Sequence, residues 1–316
     1  MRTFAVGIDI GGTNTILGFV DREGNIFHEK IFKTRSYITA EELIADLSSY
    51  IKQIQFSENA ELIGIGVGAP NGNFYSGTIE YAPNLMWEGI IDVVKLFNNY
   101  IDTKVILTND ANAAAIGEKV FGDAKDCNDF IVITLGTGVG SGFFIGGKLL
   151  YGHTGFAGEF GHTIAIPNGR LCGCNRKGCL ETYTSARGIV TTFLYIAKNN
   201  PYPSQLLYLP QARLNSELIY RAAIEGDEIA LKAFDYTAKI LGEKLTDAVA
   251  ITSPERIYLF GGLAQSGDFL LKPLKKYFEE SLLEIFKNKV DIRISGLLNK
   301  NAAVLGASSL IWDNIN

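Results

Sequence analysis

The start of the chain alternates in the manner of strands over three short, largely apolar stretches, Thr3 to Ile10, Ile16 to Val20 and Ile26 to Phe32. A two-residue period predicts β-strands. Gly11-Gly12-Thr13 turns the first pair, and Asp21-Arg22-Glu23-Gly24-Asn25 turns the second. The period then lengthens. Leu43, Ile44, Leu47, Tyr50, Ile51 and Ile54 fall on one face of a helix predicted over Ala40 to Ile54. Leu62 to Val67 and Val105 to Leu107 read as buried strands, and a helix is expected from Ala111 to Val120.

The same plan then restarts. Phe130 to Leu135 and Gly142 to Ile145 are predicted strands around the turn Gly136-Thr137-Gly138. Val6-Gly7-Ile8-Asp9-Ile10-Gly11-Gly12-Thr13 runs parallel to Ile131-Val132-Ile133-Thr134-Leu135-Gly136-Thr137-Gly138. This weak internal symmetry predicts two related lobes. Helices follow over Thr182 to Ala197, Leu214 to Ile224, Ile229 to Ile251, Leu270 to Phe286 and Ala302 to Ile311, with strands at Arg256 to Phe260 and Asp291 to Ile294. The expected division is a smaller N-terminal α/β lobe over 1–117, to which the terminal segment 301–316 crosses back, and a larger α/β lobe over 118–300. A hinge is expected near Gly117 to Asp129.

Length and composition fit that division. The 316 residues suggest two domains, and 47% hydrophobic with 20% charged residues leaves material for two cores. A net charge of −5 argues against nucleic acid as the main partner. No secretory signal and no apolar run of about 20 residues is seen, so no membrane partner and a cytoplasmic location are expected.

The chemistry concentrates in a few places. Three glycine-rich turns follow three strands: Gly11-Gly12-Thr13, Gly136-Thr137-Gly138 and Gly261-Gly262. Glycine lets backbone N–H groups approach an anion, and two such turns facing each other across a cleft would clamp phosphates. None is a Walker loop or a GxGxxG opening a helix. Asp9 ends its strand among apolar neighbours, where a carboxylate needs a partner. Magnesium beside phosphates is one partner, and a hydrogen bond to the following turn is the other. Asp110 is either a helix N-cap or a base that accepts a hydroxyl proton during phosphoryl transfer. Three of the four cysteines crowd into Cys172, Cys174 and Cys179, and with His162 they supply the four ligands of a structural zinc site. Glu159 and Glu181 flank that loop as candidate acceptors for hydroxyls.

On Asp9-Ile10-Gly11-Gly12-Thr13, Asn109-Asp110-Ala111-Asn112-Ala113-Ala114, Leu135-Gly136-Thr137-Gly138-Val139-Gly140, Gly155 through His162, and Cys172-Gly173-Cys174 through Gly178-Cys179-Leu180-Glu181, the whole chain resembles the ROK family of sugar kinases, within the actin-like superfamily that also holds hexokinases. The resemblance implies a two-lobed, actin-like (ribonuclease H-like) fold with central mixed sheets and a structural zinc loop. It implies ATP-dependent phosphorylation of a hexose 6-hydroxyl, with glucose first and N-acetylglucosamine, N-acetylmannosamine, mannose or fructose as alternatives. Asp110 would be the base. Asn84, Asn109, Asp110, Glu159, His162 and Glu181 would hold the sugar. The turns at Gly11, Gly136 and Gly261 would hold ATP with Mg2+, and assembly as a homodimer is expected. Asn14 stands where lysine is common, and Asn175 replaces a frequent glycine. Repressors of this family carry a DNA-binding segment before the first strand, for which the strand at Thr3 leaves no expected room. A sugar-independent ATPase would not need Glu159, His162 and Glu181 together.

Overall fold

The computed structural model describes residues 3–199, 202–298 and 301–313. The expected lobe limits at 1 and 300, and the last three residues of 301–316, lie outside the described residues. The first sheet contains β1 (Thr3–Ile10), β2 (Thr15–Val20) and β3 (Ile26–Phe32). Then come α1 (Ala40–Glu58) and β4 (Glu61–Gly68). A small antiparallel sheet follows, of β5 (Gly72–Asn73), β6 (Thr78–Glu80) and β7 (Ile90–Asp92), with α2 (Val93–Asn98) behind it. The chain returns through β8 (Val105–Thr108) to α3 (Asp110–Val120).

The second half contains β9 (Phe130–Leu135), β10 (Val139–Ile145) and β11 (Lys148–Leu149), then the cysteine loop and α4 (Glu181–Thr184). It continues with α5 (Ala186–Lys198), α6 (Ser216–Ile224), α7 (Glu228–Thr252), β12 (Arg256–Phe260), α8 (Asp268–Ser281), β13 (Asp291–Ile294) and α9 (Ala302–Trp312).

The two large sheets share one topology. The orders are β3-β2-β1-β4-β8 and β11-β10-β9-β12-β13. In each, two antiparallel pairings precede two parallel ones. The likeness read between the strands beginning at Val6 and Ile131 is thus a likeness of whole sheets. Mixed order follows from the chain: hairpins join the antiparallel strands, and helices return the parallel ones.

Two helices lie between the sheets. α9 covers β1 and β4, and α3 packs on β9 and β10. Bare backbone permits the first contact. A side-chain carbon at Gly66 would stand 1.8 Å from the Ala307 carbonyl oxygen. α3 and α9 cross where Gly117 meets Gly306, with an added carbon at Gly117 only 2.8 Å from the Gly306 Cα. Ala111 and Ala115 of α3 rest on Gly140 and Gly142 of β10. The small residues after Asp110 therefore serve helix–sheet packing.

Element ends depart from the pattern for local reasons. α1 starts at a full capping box, Thr39 Oγ1 accepting from the Glu42 amide and Glu42 Oε2 from the Thr39 amide, a feature worth about 1 kcal/mol. The helix expected over Thr182 to Ala197 is two helices, because extended Ser185 caps α5 through the Gly188 amide at 3.0 Å. The helix expected to reach Phe286 stops at Ser281, where Leu282 turns extended. The small sheet β5–β7 and α2 are additions to the elements read from the pattern; their strands are two or three residues long, too short to show a period.

Candidate active site

Asp9 is the penultimate residue of β1, and its parallel partner in β4 is Gly68. An added carbon at Gly68 would stand 4.0 Å from Asp9 Oδ1 and 3.8 Å from the Asp110 Cα. The two carboxylates therefore meet over a glycine. Burial, and then the Asp110 charge, push the Asp9 carboxyl up to about 7. Burial also raises Asp110, against the hydrogen bond its Oδ1 accepts from the Ala111 amide at 2.9 Å. Asp110 is enclosed by protein, yet its surface is open to water through the cleft. The desolvation that raises it acts fully only when a ligand excludes that water.

The cap of α3 is Asn109, whose Oδ1 accepts from the Asn112 amide at 2.7 Å. Asp110 is thereby released from capping and is the first residue of the helix. The Nδ2 amide of Asn109 keeps its donors.

Glu159, at the start of a single 3-10 turn over Phe160–His162, lies near enough to Asp110 and Glu181 for their charges to act on it. Burial raises its carboxyl, the His162 charge opposes the shift, and the Asp110 and Glu181 charges add to it. These groups come from both halves of the fold. His162 Nε2 lies 4.0 Å from Glu159 Oε2, while its Nδ1 lies 3.6 Å from Cys172 Sγ. One ring thus faces the carboxylates and the cysteines at once.

The ligand atoms of His162, Cys172, Cys174 and Cys179 all lie within 4.8 Å of one another. Cys174 Sγ and Cys179 Sγ are 3.6 Å apart. A zinc tetrahedron with bonds of about 2.3 Å has an edge of roughly 3.8 Å, so the donor set fits that ion. The loop closes through bridges between Ile164 and Cys179 and between Leu171 and Lys177. Asn175 takes φ +64°, the left-handed turn conformation asparagine tolerates in place of glycine. Arg170 ties the loop to its neighbours, donating to the carbonyls of Thr182 at 2.8 Å and Gly188 at 3.2 Å.

The three turns are placed as follows. Gly11 N donates to Asn14 O at 3.0 Å, and Gly12 lies against the Asn84 backbone, where an added carbon would stand 2.2 Å from its carbonyl oxygen. Asn84 therefore sits at the first turn, and Thr13 is exposed. Gly136 N donates to Gly138 O at 3.0 Å, Thr137 is exposed, and the face of Gly136 is open. Gly261, at φ +102°, packs on the end of β9, with Leu135 O 2.7 Å from where a side chain would start. The second and third turns are thus neighbours, and Gly262 also opens outward. Cys127 is buried apart from the cysteine loop, its Sγ donating to the Asp129 carbonyl.

Two groups escape the sequence reading. Arg35 Nε donates to Gly12 O at 3.4 Å, bringing a cation to the first turn, where Asn14 has none. Asn73 Nδ2 donates to Glu80 Oε1 at 2.9 Å and to the Thr154 carbonyl at 3.0 Å, so the small sheet reaches the segment leading to Glu159. The Asn71-Gly72 and Ser76-Gly77 pairs were turn signals there.

The sequence matches the ROK family over residues 5–314, and the chain belongs to that family. A glucokinase of Halalkalibacterium halodurans is 35% identical over 98% of this chain and 96% of its own. A ROK family glucokinase from Streptomyces griseus, solved with glucose and AMPPNP, superposes with a TM-score of 0.81 at 32% identity, covering 97% of this chain and 98% of that one. A xylose repressor of Bacillus subtilis is 30% identical, and the match spans 98% of this chain and 77% of the repressor. Among the described residues, no helix is long and apolar enough to cross a membrane.

Proposed function

We propose that this chain transfers the γ-phosphate of ATP to the 6-hydroxyl of a hexose, with glucose as the principal substrate. The observation that carries the reading is the convergence of Asp110, Glu159, Glu181 and His162 in one cleft beside glycine turns of both sheets. Near full-length likeness to glucokinases supports glucose over the other hexoses. A sugar-independent ATPase would not need this acceptor set.

Asn84, Asn109, Glu159, His162 and Glu181 orient the hexose. Asp110 accepts the 6-hydroxyl proton as its oxygen attacks the γ-phosphorus and the bond to the ADP oxygen breaks. Burial raises the Asp110 carboxyl above its ordinary value, which makes it a stronger base than a free carboxylate. Gly11, Gly12, Thr13, Gly136, Thr137, Gly138, Gly261 and Gly262 offer backbone and hydroxyl donors to the nucleotide. Asp9, elevated by burial and by Asp110, suits a hard cation, and Mg2+ bound with ATP would relieve both carboxylates. Zinc held by His162, Cys172, Cys174 and Cys179 would be structural, fixing the ring so that Nε2 faces the sugar. The division into lobes 1–117 with 301–316, and 118–300, is proposed as the basis of cleft closure on the sugar. A homodimer rests on the family resemblance alone.

A panel of hexoses in a coupled ADP-release assay tests the reading. Glucose should give the highest kcat/KM, and ADP release without sugar should be far slower. ADP release independent of sugar would establish a plain ATPase instead.

A further inference from the structure

Both oxygens of the Glu181 carboxylate meet protein groups. Its Oε2 accepts a hydrogen bond from the Val139 amide at 3.0 Å. It also lies so close to the second glycine turn that a carbon added at Gly138 would stand 2.3 Å from it. Its Oε1 is 3.6 Å from Cys172 Sγ, at the edge of the cysteine loop. A few residues further on, the Ala186 amide donates to the Gly136 carbonyl at 2.8 Å. The segment 181–186 thus grips the turn 136–139 from both sides.

These contacts point to a role separate from sugar binding. We infer that Glu181 is a positioning residue for the nucleotide: it holds the turn Gly136-Thr137-Gly138 in its anion-binding shape before any sugar arrives. The inference rests on the reading of that turn as an ATP-binding element. A hairpin tip made of two glycines and a threonine has little of its own to fix it. A carboxylate accepting a backbone N–H is a charge-assisted bond, stronger than a neutral one. Glycine at 138 is required by the close approach, since any side chain there would displace the carboxylate. The cysteine loop, through Cys179 and the turn of α4, sets where Glu181 stands. Sugar and nucleotide then share one carboxylate, so binding of either shifts the affinity for the other by the same factor.

The test is the affinity of AMPPNP with Mg2+, measured by calorimetry on the full chain with no sugar present. Glu181→Ala should weaken it roughly tenfold, the scale of one charge-assisted hydrogen bond. Glu181→Gln keeps an acceptor oxygen for Val139 and should recover most of the loss, although glucose binding stays impaired. Gly136→Val, whose Cβ would meet no atom within 4 Å, should block the nucleotide directly. Circular dichroism and metal content verify that each variant is folded. If Gly136→Val weakens AMPPNP and folded Glu181→Ala and Glu181→Gln both bind it as wild type does, Glu181 serves the sugar alone and the inference falls. If Gly136→Val also binds normally, the turn is not a nucleotide element, and the inference falls with that reading.

Discussion

The hairpin β1–β2 and the hairpin β9–β10 hold the same place in two sheets of the same order, but their ends are built for different charges. With Gly11 set beside Gly136, Asp9 corresponds to Thr134. Asp9 has Gly68 as its parallel neighbour, and the missing side chain leaves the space in which Asp9 and Asp110 meet. Thr134 has Phe260 as its neighbour, and its Oγ1 accepts from the Gly140 amide at 3.1 Å. One strand end thus presents a pair of neighbouring acids; the other is neutral, filled by a ring and steadied from outside by Glu181. A duplicated scaffold can divide a reaction in this way. Under the proposed function, the same turn would receive phosphate on both sides, and one residue per strand would decide which side also handles protons.

If the acid pair is what separates the two hairpins, its loss should have the largest effect. Asp110→Asn should leave the fold and glucose affinity in place and lower kcat by about 10²-fold or more. Near wild-type turnover in steady-state kinetics would remove Asp110 from the role of base. The cysteine loop comes next. Cys179→Ala, or removal of metal by a chelator, should lower the melting temperature and weaken glucose binding about tenfold, because the loop places Glu181 and His162. Elemental analysis should find one zinc per chain, and active protein without zinc would refute this.

Proton linkage gives a smaller effect with a definite sign. The folded carboxyl of Asp9 lies near 7, above its ordinary 3.8. Between those values the native chain keeps a proton the unfolded chain has lost, so this site's contribution to stability falls as pH rises from about 4 to about 7. Asp9→Asn removes that penalty. Without magnesium, it should stabilise the protein by about 1–2 kcal/mol at pH 8, less than the full shift implies because water reaches the cleft, and by nothing below pH 4. Urea denaturation at the two pH values measures it; equal effects at both would show that Asp9 is not elevated. In the wild type, kcat/KM should rise with pH through an apparent value belonging to the Asp9–Asp110 pair. The smallest effect is expected at the neutral end: Thr134→Val should cost about 1 kcal/mol of stability through the unpaired Gly140 amide, with kcat unchanged.

Much of this was legible in the chain. The strands at Val6 and Ile131 showed their likeness because buried strands repeat the same apolar alternation before the same glycine. The four candidate metal ligands stood out because three cysteines crowd into the eight residues Cys172 to Cys179, a short loop after His162. Asp110 could not be separated from a helix cap until Asn109 was seen accepting the Asn112 amide. The hold of Glu181 on Val139 spans 42 positions, and no local pattern encodes such a bond. The small sheet β5–β7 was missed for the opposite reason: its strands are so short that turn residues outnumber the alternating ones.

The packing of α9 on β1 and β4 also bears on how the protein is made. Ala5 and Gly66, near the start of the chain, lie under Ile311, Trp312 and Ala307, at its end. While the ribosome still holds the last turns of that helix, one face of the first sheet stays bare and apolar. The N-terminal half, although synthesised first, can therefore complete its core only after the second half has emerged, which reverses the usual N-to-C order of domain folding.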